Sequence, residues 1–393
     1  MKKSVKDFDV KDKVVILRCD LNVPIKDGVI SDDTRIRASL ETINYLLSNG
    51  SKVVILSHLG KVKSLEDKEK YSLSVVYDRL NELLPDKIKF VPYTSSDRIK
   101  EEINKMKNGT GILLENTRFE DLNGKRESSC DDNLSKYWAS LGDIFINDAF
   151  GTLHRKHASN YGISSYLPSG VGFLVLNELN NLDKLDNPVR PFGVIMGGAK
   201  VSDKLSVINS LIDKVDYLFI GGAMAFTFLK AKGYDIGKSL CEDEQLDYCN
   251  SLLNNYGDKI ILPSDFYGSN SFSDDTEISY RKIGEFDDNF MGLDIGTDTI
   301  KLFEEKLKSV KTLFWNGPLG VYEFSHYRNG TKEIMEYVSK NIDFTILGGG
   351  DIVSCVNEFG LSSKFSFIST GGGASLCYIA DKNLPGLVNI ESR

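Results

Sequence analysis

Two stretches near the C-terminus constrain the fold of this chain more than any other feature. The apolar runs at 344–347 and 365–368 each lead into a triple glycine, at 348–350 and 371–373. An apolar run that stops at glycine and opens a helix is the strand–turn–helix unit of an α/β protein. Glycine lets the backbone approach a ligand, and a helix start presents free N–H groups to an anion. The pair therefore predicts two neighbouring anion sites, although either triplet alone could be a tight turn with positive φ.

Charged residues beside glycines strengthen the prediction of phosphate chemistry. Asp351 follows the first triplet directly, where a carboxylate can hold a cation that bound phosphates share. Lys200 and Lys204 follow Gly197 and Gly198 at a predicted helix start, and a spacing of four places both amines on one helix face. Such a pair is either a phosphate clamp or a solvated basic face, and the preceding glycines favour the clamp.

Size and charge limit the function classes. A chain of 393 residues with 41% hydrophobic and 26% charged residues is typical of a globular protein with two or three domains. Its net charge of −8 argues against nucleic acid as a partner. Residues 1–186 hold 28 basic and 28 acidic side chains, so the remainder carries the whole excess of negative charge. We therefore expect an anionic small molecule to bind the first half.

Cysteine usage and hydropathy predict the compartment. The six cysteines form no C-x-x-C pair and no metal-binding spacing, which is typical of reduced thiols in a cytoplasmic protein. The two lysines near the N-terminus are not followed by the apolar segment of a signal peptide, and no run approaches the roughly 18 apolar residues of a membrane helix. We expect a cytoplasmic protein that does not bind membranes.

The first half alternates short apolar runs with helical-period stretches, the pattern of a parallel α/β sheet. Polar residues follow four of these runs, which lie at 14–17, 53–56, 112–114 and 144–146. Ligands of open parallel sheets bind beyond the carboxyl ends of the strands, so these loops should converge on one crevice. Arginine is the usual residue for bidentate contacts with carboxylates and phosphates. The arginines expected at this crevice are Arg18, Arg35, Arg118 and Arg155.

The second half repeats the plan with different polar residues. Its apolar runs at 192–196, 217–220, 260–262 and 313–315 end in glycine, asparagine or aspartate and carry few arginines. That composition suits a nucleotide held by backbone groups, with Lys200 and Lys204 supplying positive charge. An amphipathic segment at 171–186, stopped by Pro188, is interpreted as a helix that connects the two halves, or as another surface helix.

Three other motifs are not favoured. The segment 233–239 resembles a P-loop but has one residue too few between its glycines. His154 and His157 have the spacing of a metal pair, but Arg155 and Lys156 between them would repel a cation. No G-x-G-x-x-G follows a predicted strand with an acidic residue about 20 positions on, which disfavours an NAD-dependent dehydrogenase.

Together these segments resemble the phosphoglycerate kinase family over nearly the whole chain. The resemblance implies two Rossmann-like parallel-sheet domains separated by a cleft and joined by a helix. It implies an N-terminal domain at 1–171, a connecting helix at 172–187, a C-terminal domain at 188–375, and a segment at 376–393 that packs back on the N-terminal domain. The matching stretches are RCDLNVP at 18–24, TRIRASL at 34–40, SHLG at 57–60, LLENTRF at 113–119, NDAFGTLHRKHAS at 147–159, GGAKVSDKL at 197–205, GGAMAFTFL at 221–229, WNGPLGVYEF at 315–324, GGGD at 348–351 and STGGGASL at 369–376.

The resemblance also implies the reaction. Phosphoglycerate kinases of glycolysis and gluconeogenesis transfer a phosphoryl group reversibly between 1,3-bisphosphoglycerate with Mg-ADP and 3-phosphoglycerate with Mg-ATP. They are cytosolic monomers, and transfer is direct and in line once the domains close. The implied partners are therefore the two glycerates, ATP or ADP, and Mg²⁺.

Site residues follow from the resemblance position by position. The implied glycerate-binding residues are Asp20, Leu21, Asn22, Arg35, His58, Leu59, Gly60, Lys61, Arg118 and Arg155. The implied nucleotide-binding residues are Gly198, Lys200, Lys204, Gly221, Gly222, Gly292, Asn316, Pro318, Glu323, Gly349, Gly350, Asp351 and Ile352, of which Asn316 and Glu323 serve the ribose and Asp351 binds Mg²⁺. The implied catalytic residues are Arg35, Lys200, Gly371, Gly372 and Gly373.

Three positions depart from the family pattern. Lys61 replaces an arginine, Ala223 replaces the third glycine of the adenine loop, and Ile352 replaces a serine or threonine. The last change removes a hydroxyl from the expected phosphate site. It leaves open an alternative in which the chain is a pseudoenzyme of the same fold that serves as a binding protein.

Overall fold

The computed structural model describes residues 1–274 and 277–393 and divides into two compact units. The first unit comprises Met1–Asn180 and Asn383–Arg393, and the second comprises Asn181–Lys382. Each unit is built on a six-stranded sheet in which all neighbouring strands are parallel. The predicted α/β class with two parallel-sheet domains is confirmed. No helix among these residues is long and apolar enough to cross a membrane.

The sheet of the first unit has the strand order β5-β6-β4-β1-β7-β8. Its central strand β1 is almost entirely buried, as expected for a parallel strand covered on both faces. At the carboxyl end of β1, Arg18 lies beside Leu56 on one neighbour and Asn147 on the other. The strands of this unit, including a separate hairpin of β2 and β3, are β1 Val14–Cys19, β2 Ile25–Lys26, β3 Val29–Ile30, β4 Lys52–Leu56, β5 Ile88–Val91, β6 Gly111–Leu114, β7 Ile144–Asp148 and β8 Ser169–Val171.

Helices cover both faces of this sheet because successive strand residues point to opposite sides. Val15 and Leu17 of β1 belong to one hydrophobic core, which includes residues of α1 and α3. Ile16 belongs to the other core, which includes residues of α4 and α5. The helices begin and end as follows: α1 Thr34–Ser48, α2 Asp67–Lys70, α3 Ser74–Leu83, α4 Asp97–Lys105, α5 Asp132–Ala139 and α6 Phe173–Leu182. Helix α6 occupies most of the predicted connector.

The C-terminal residues return to the first unit. The backbone N–H of Gly386 donates to the carbonyl of Leu153 at 2.8 Å, and Arg393 Nε donates to Asp7 Oδ2 at 2.7 Å. The returning segment begins at Asn383, later than the expected position 376, because the preceding helix packs within the second unit.

The second unit has the strand order β11-β10-β9-β15-β16-β17 and a separate antiparallel sheet of order β13-β12-β14. Its strands are β9 Phe192–Met196, β10 Tyr217–Ile220, β11 Ile260–Ile261, β12 Asp265–Ser269, β13 Ser279–Lys282, β14 Met291–Ile295, β15 Thr312–Asn316, β16 Phe344–Leu347 and β17 Phe367–Ile368. Its helices are α7 Leu205–Leu211, α8 Met224–Ala231, α9 Leu246–Tyr256, α10 Thr297–Leu307, α11 Asn329–Asn341, α12 Gly350–Glu358 and α13 Gly373–Ala380, and the short helix α14 Pro385–Val388 belongs to the first unit.

Two local expectations for this unit are wrong. The aspartate expected to follow the run at 260–262 as a loop residue is Asp265, but it opens β12 instead, and its carboxylate accepts the N–H groups of Asp298 and Thr299 at the start of α10. Lys200 and Lys204 do not share a helix face, because α7 begins only at Leu205. Lys200 lies in the preceding loop, and Lys204 ends a 3₁₀ turn, in which residues four apart do not align.

Candidate functional site

Several arginines of the first unit surround one histidine. His58 follows β4 and is only 7% exposed. Its pKa lies well below the usual range, first because of burial and then because of the positive charges of Arg18, Arg118, Arg155 and Arg35. These four arginines come from different parts of the chain, so the fold brings together the set that the sequence grouped. We call Arg35, Arg118, Arg155 and His58 the arginine surface.

Carboxylates hold two of these arginines. Arg35 Nη1 lies 3.0 and 2.9 Å from the two carboxylate oxygens of Asp20, and Arg118 Nη1 lies 3.0 Å from Asp121 Oδ2. The side chain of Arg35 remains 38% exposed, whereas that of Asp20 is 8% exposed. A guanidinium has five N–H donors, so one engaged nitrogen leaves donors for an anionic ligand.

Side-chain amides fix the loops beside the arginine surface. Asn22 Oδ1 accepts the N–H of Gly60 at 2.8 Å. Asn116, which the sequence analysis did not single out, accepts the N–H of Leu59 at 3.2 Å and donates to its carbonyl at 2.8 Å. The predicted site residues Leu21 and Leu59 have side chains buried in the core, so they hold these loops and present no side chain to a ligand. Lys61 is exposed next to them.

His157, one of the histidines weighed as a metal ligand, is buried beside the same arginines. Among the residues with described positions, no group of three or more histidine, cysteine, aspartate or glutamate side chains could hold a metal ion. Burial, followed by the charges of Arg118, Arg18 and Arg155, lowers the pKa of His157 to about 3. The imidazole is therefore neutral in the folded chain at physiological pH.

This depressed pKa predicts an acid sensitivity of the fold. Unfolded His157 would take up a proton near pH 6.5, so stability is fully present above that pH and is lost as the pH falls toward 3. Between pH 7 and pH 5 the loss should be about 2 kcal/mol. Urea unfolding at both values should show a smaller loss in His157→Gln than in the wild type. The control variant is His326→Gln, because the side chain of His326 is half-exposed. An equal loss of stability in His157→Gln and in the wild type would contradict the prediction.

A cavity of about 410 Å³ lies in the second unit. Its walls are largely apolar and include Phe226, Phe266 and Leu319, as is typical of small-molecule sites. Six residues of the predicted nucleotide set line it: Gly198, Gly222, Gly292, Pro318, Glu323 and Asp351. Ala223, at the position where the family has glycine, also lines it.

Close backbone packing explains the glycines at the floor of this cavity. Gly222 has φ +64°, and a Cβ there would lie 2.5 Å from the backbone nitrogen of Gly198. A Cβ on Gly197 would lie 2.1 Å from the carbonyl oxygen of Pro318. Three chain segments therefore meet here without side chains between them. Gly221 lies just behind this floor, where a Cβ would meet the side chain of Leu319.

Asp294 fixes the segment that forms another wall, and the sequence analysis missed it. This carboxylate is 2% exposed, and it accepts the N–H of Gly330 at 2.8 Å and that of Ile295 at 2.9 Å. Burial raises its pKa to about 8. An acidic residue inside an otherwise apolar strand can be recognised in a sequence. Asp294 was not singled out in this way because strand β14 itself was not predicted.

The two triple-glycine turns have the predicted strand–turn–helix geometry. Strands β16 and β17 are parallel neighbours, and they lead into α12 and α13. Gly349 and Gly372 precede these helices with φ values of +112° and +54°. Apart from the adjoining backbone, no heavy atom of the described residues lies within 4 Å of the position of a Cβ on Gly350, Gly372 or Gly373, so both helix starts are open to a ligand.

Asp351 and Lys204 supply opposite charges beside these turns. Asp351 is exposed at the cavity, and its carboxylate forms no hydrogen bond or ion pair with the described residues. Burial lowers the pKa of Lys204, and the negative charges of Asp203 and Asp351 partly offset that effect. Lys200 is exposed in the loop after β9. One free carboxylate fits Mg²⁺, which keeps several water or phosphate ligands and needs few from protein.

The side chain of Asn316 supports the first triple-glycine turn, at residues 348–350. The side chain is 2% exposed, and Nδ2 donates to the carbonyl of Gly348. A Cβ on Gly349 would lie 2.3 Å from the same Nδ2 atom. Burial therefore makes Asn316 a support for the turn, whereas the exposed Glu323 at the cavity can reach a ligand.

Ile352 does not present its side chain to the expected phosphate site. The residue is fully buried in the first turn of α12, while the adjacent Asp351 points to solvent. The expectation that a side-chain hydroxyl is missing from the ligand surface is therefore wrong for this chain. Backbone N–H groups at the start of α12 do not depend on that side chain.

This burial predicts the effects of two matched substitutions. Ile352→Val should cost about 0.5–1.5 kcal/mol of stability because it removes one buried methyl group. Ile352→Thr has the same shape as the valine variant but buries a hydroxyl, so it should cost roughly 1–3 kcal/mol more. Urea unfolding measures both effects, and the KM for nucleotide should stay the same. A threonine variant as stable as the valine variant, with a lower nucleotide KM, would show that residue 352 faces the ligand.

Comparisons with known proteins agree on one family. The family model described as phosphoglycerate kinase matches residues 5–382. A phosphoglycerate kinase of Enterococcus faecalis is 50% identical over 395 residues, covering 100% of both chains. The solved phosphoglycerate kinase of Coxiella burnetii has a TM-score of 0.89 at 34% identity and covers 99% of this chain and 98% of that chain. The corresponding values for the phosphoglycerate kinase of Pyrococcus horikoshii are 0.82 and 30%, with 98% of each chain covered.

Proposed function

The chain belongs to the phosphoglycerate kinase family, and we propose that its two units divide the two substrates of that reaction between them. It is an enzyme, a phosphotransferase with a carboxyl group as acceptor. It transfers a phosphoryl group reversibly between 1,3-bisphosphoglycerate and ADP, giving 3-phosphoglycerate and ATP. As part of this proposal, we assign roles to individual residues of both units.

The arginine surface of the first unit binds the glycerate. Convergence of four arginine charges on the neutral His58 is the observation that carries this assignment, because a ligand with a phosphate and a carboxylate needs several such donors. Arg118, Arg155 and Lys61 bind the anionic groups together with His58. The loops are held by Asp20, Asn22 and the backbone of Gly60. These groups also form hydrogen bonds with the hydroxyl of the glycerate, as donors or as acceptors. Leu21 and Leu59 act through these loops.

The cavity and the two helix starts of the second unit bind the nucleotide. The apolar cavity suits the base, with Gly198, Gly221, Gly222, Gly292 and Pro318 shaping its walls. Glu323 serves the ribose from the edge of the cavity. The open N–H groups at Gly349, Gly350 and Ile352 suit the phosphates, with positive charge from Lys200 and Lys204.

Asp351 is the residue that holds Mg²⁺, as an exposed carboxylate beside the phosphate site. The metal ion supplies charge neutralisation of the phosphate oxygens. We also propose that the enzyme works in the cytoplasm as a monomer.

Transfer is direct and in line, with no enzyme nucleophile. Catalysis then consists of positioning the reactants and stabilising negative charge on the moving group. Arg35 and Lys200 supply positive charge to that group, and the N–H groups of Gly372 and Gly373 at the start of α13 supply hydrogen bonds. Gly371, whose own N–H donates to Ser369 Oγ at 3.2 Å, shapes the turn that presents them. Arg35 is held by Asp20 yet remains partly exposed, which suits a group that contacts the reacting atoms. The domain closure implied by the family resemblance stays a prediction.

A dehydrogenase-coupled assay with 3-phosphoglycerate, ATP and Mg²⁺ tests the function. We expect turnover with 3-phosphoglycerate and a large loss of kcat/KM with glycerate, which lacks the phosphate that the arginine surface would bind. Equal rates with both acceptors would contradict the role of the arginine surface. The absence of any turnover would favour the pseudoenzyme alternative, for which the buried Ile352 no longer provides support.

A further inference from the structure

Arg18 differs from the other arginines because it lies inside the protein. It follows the apolar part of β1, the central strand of its sheet, and is 1% exposed. Arg35, in contrast, keeps 38% of its side chain exposed. Burying a guanidinium costs folding free energy unless hydrogen bonds and an opposite charge compensate it. The contacts of Arg18 should therefore show what compensates its burial.

Each nitrogen of the Arg18 guanidinium has its own partner. Nε donates to Ser159 Oγ at 2.9 Å, and Nη1 donates to the carbonyl oxygen of Cys19. Nη2 lies 3.2 Å from Nδ1 of His58. Because the guanidinium is planar, three partners in different directions fix its orientation.

Glu127 provides the compensating charge through the same serine. This glutamate is fully buried, and it accepts the backbone N–H of Ser159 at 2.9 Å and the hydroxyl of Ser159. The hydroxyl therefore accepts from Arg18 and donates to Glu127. The result is a continuous buried chain from Glu127 through Ser159 and Arg18 to His58.

This chain determines the tautomer of His58. A guanidinium has donors and no acceptor, so Nδ1 of His58 must accept the hydrogen bond from Arg18. A neutral imidazole with an acceptor at Nδ1 carries its proton on Nε2, on the other side of the ring. We propose that Arg18, held by Ser159 and Glu127, is a positioning residue that keeps His58 as a neutral Nε2–H donor for an anionic oxygen of the glycerate. The substrate part of this inference rests on the proposed function.

A neutral Nε2–H donor at His58 differs from another arginine because it carries no charge. It adds a directed hydrogen bond to the ligand without adding a fifth positive charge to the cluster. Losing one hydrogen bond to a charged ligand typically weakens binding by about tenfold or more. The effect should appear in the KM for 3-phosphoglycerate and not in the KM for nucleotide.

The tautomer can be read in the ligand-free enzyme by long-range ¹H–¹⁵N NMR after labelling of histidine. The chain has 4 histidines, and His58→Gln identifies the signal of interest. We expect one protonated nitrogen, Nε2, and one unprotonated nitrogen, Nδ1, between pH 6 and pH 8. An Nδ1–H tautomer or an imidazolium in the wild type would overturn the proposal.

A double variant tests the role of Arg18 without leaving a buried charge unpaired. Arg18→Met combined with Glu127→Gln removes both charges, and the melting temperature shows whether the fold survives. We expect a mixture of His58 tautomers and a KM for 3-phosphoglycerate raised about tenfold, with His326 in the second unit unchanged as the internal reference. Arg18→Lys combined with wild-type Glu127 keeps a donor and should restore much of the wild-type behaviour.

The outcomes separate this proposal from the proposed function. A folded double variant with the wild-type tautomer and KM would overturn the positioning role. If the fold of the double variant fails, Ser159→Ala provides the same NMR and KM comparison with a smaller change, and unchanged values there would also overturn it. An enzyme that shows the expected tautomer but never turns over 3-phosphoglycerate would contradict the proposed function and, with it, the assigned ligand.

Discussion

Replacing Arg35 with alanine should lower kcat by about 10²–10³-fold while leaving the affinity for Mg-ADP nearly unchanged. The reason is that Arg35 lies on the arginine surface, pairs with Asp20 through Nη1, and keeps its side chain partly exposed. A charge donor to the transferring group acts in the transition state, whereas the nucleotide site that we propose lies in the other unit. Steady-state kinetics and a calorimetric titration with Mg-ADP measure the two effects.

Arg37→Ala is the matched control for Arg35→Ala. Arg37 lies two residues along the same helix, is more exposed, and pairs with Asp33. It should retain kcat close to that of the wild type. A kcat near the wild-type value in Arg35→Ala, or an equal loss in Arg37→Ala, would show that Arg35 has no special part in transfer.

Replacing Asp351 with asparagine should weaken the binding of Mg-ADP by more than about tenfold. The loss of groups that merely orient metal ligands typically costs 10–100-fold, so a carboxylate that binds Mg²⁺ directly should cost at least as much. Binding of 3-phosphoglycerate brings no metal and should be unaffected. Calorimetric titration with each ligand alone separates these cases.

Asp343→Asn is a suitable control because Asp343 is exposed in the same unit and pairs with Lys311. Its affinity for Mg-ADP should match that of the wild type. Equal losses of nucleotide and glycerate binding in Asp351→Asn would indicate that this residue supports the fold instead of the metal.

The parallel sheets could be predicted from the sequence because their strands are buried on both faces. Strands β9, β10 and β16 begin and end where the apolar runs predicted them, since each is a largely apolar segment that is followed directly by glycine. The antiparallel strands were missed because β12 and β13 mix polar and apolar residues and have no such closing signal. Segments that mix polar and apolar residues in this way become strands because of the strands with which they pair.

The candidate site was predictable in its composition but not in its burial. The arginine set and the triple-glycine turns could be recognised because residue type and position after a strand are local features. The burial of Arg18 could not be recognised from the sequence, because one of its partners, Ser159, lies 141 residues away in the chain. The burial of Ile352 and Asn316 likewise depends on the packing around α12 and β15.

The most direct test of the account follows the phosphoryl group itself. The wild-type enzyme is incubated with Mg²⁺ and ATP labelled with ³²P at the γ position, with and without 3-phosphoglycerate, and the products are separated after a single turnover. We expect label in the acyl phosphate of 1,3-bisphosphoglycerate when both ligands are present, and no labelled protein in either case. Label on the protein, or ATP consumption without labelled glycerate, would contradict direct transfer between substrates held by the arginine surface and the nucleotide cavity.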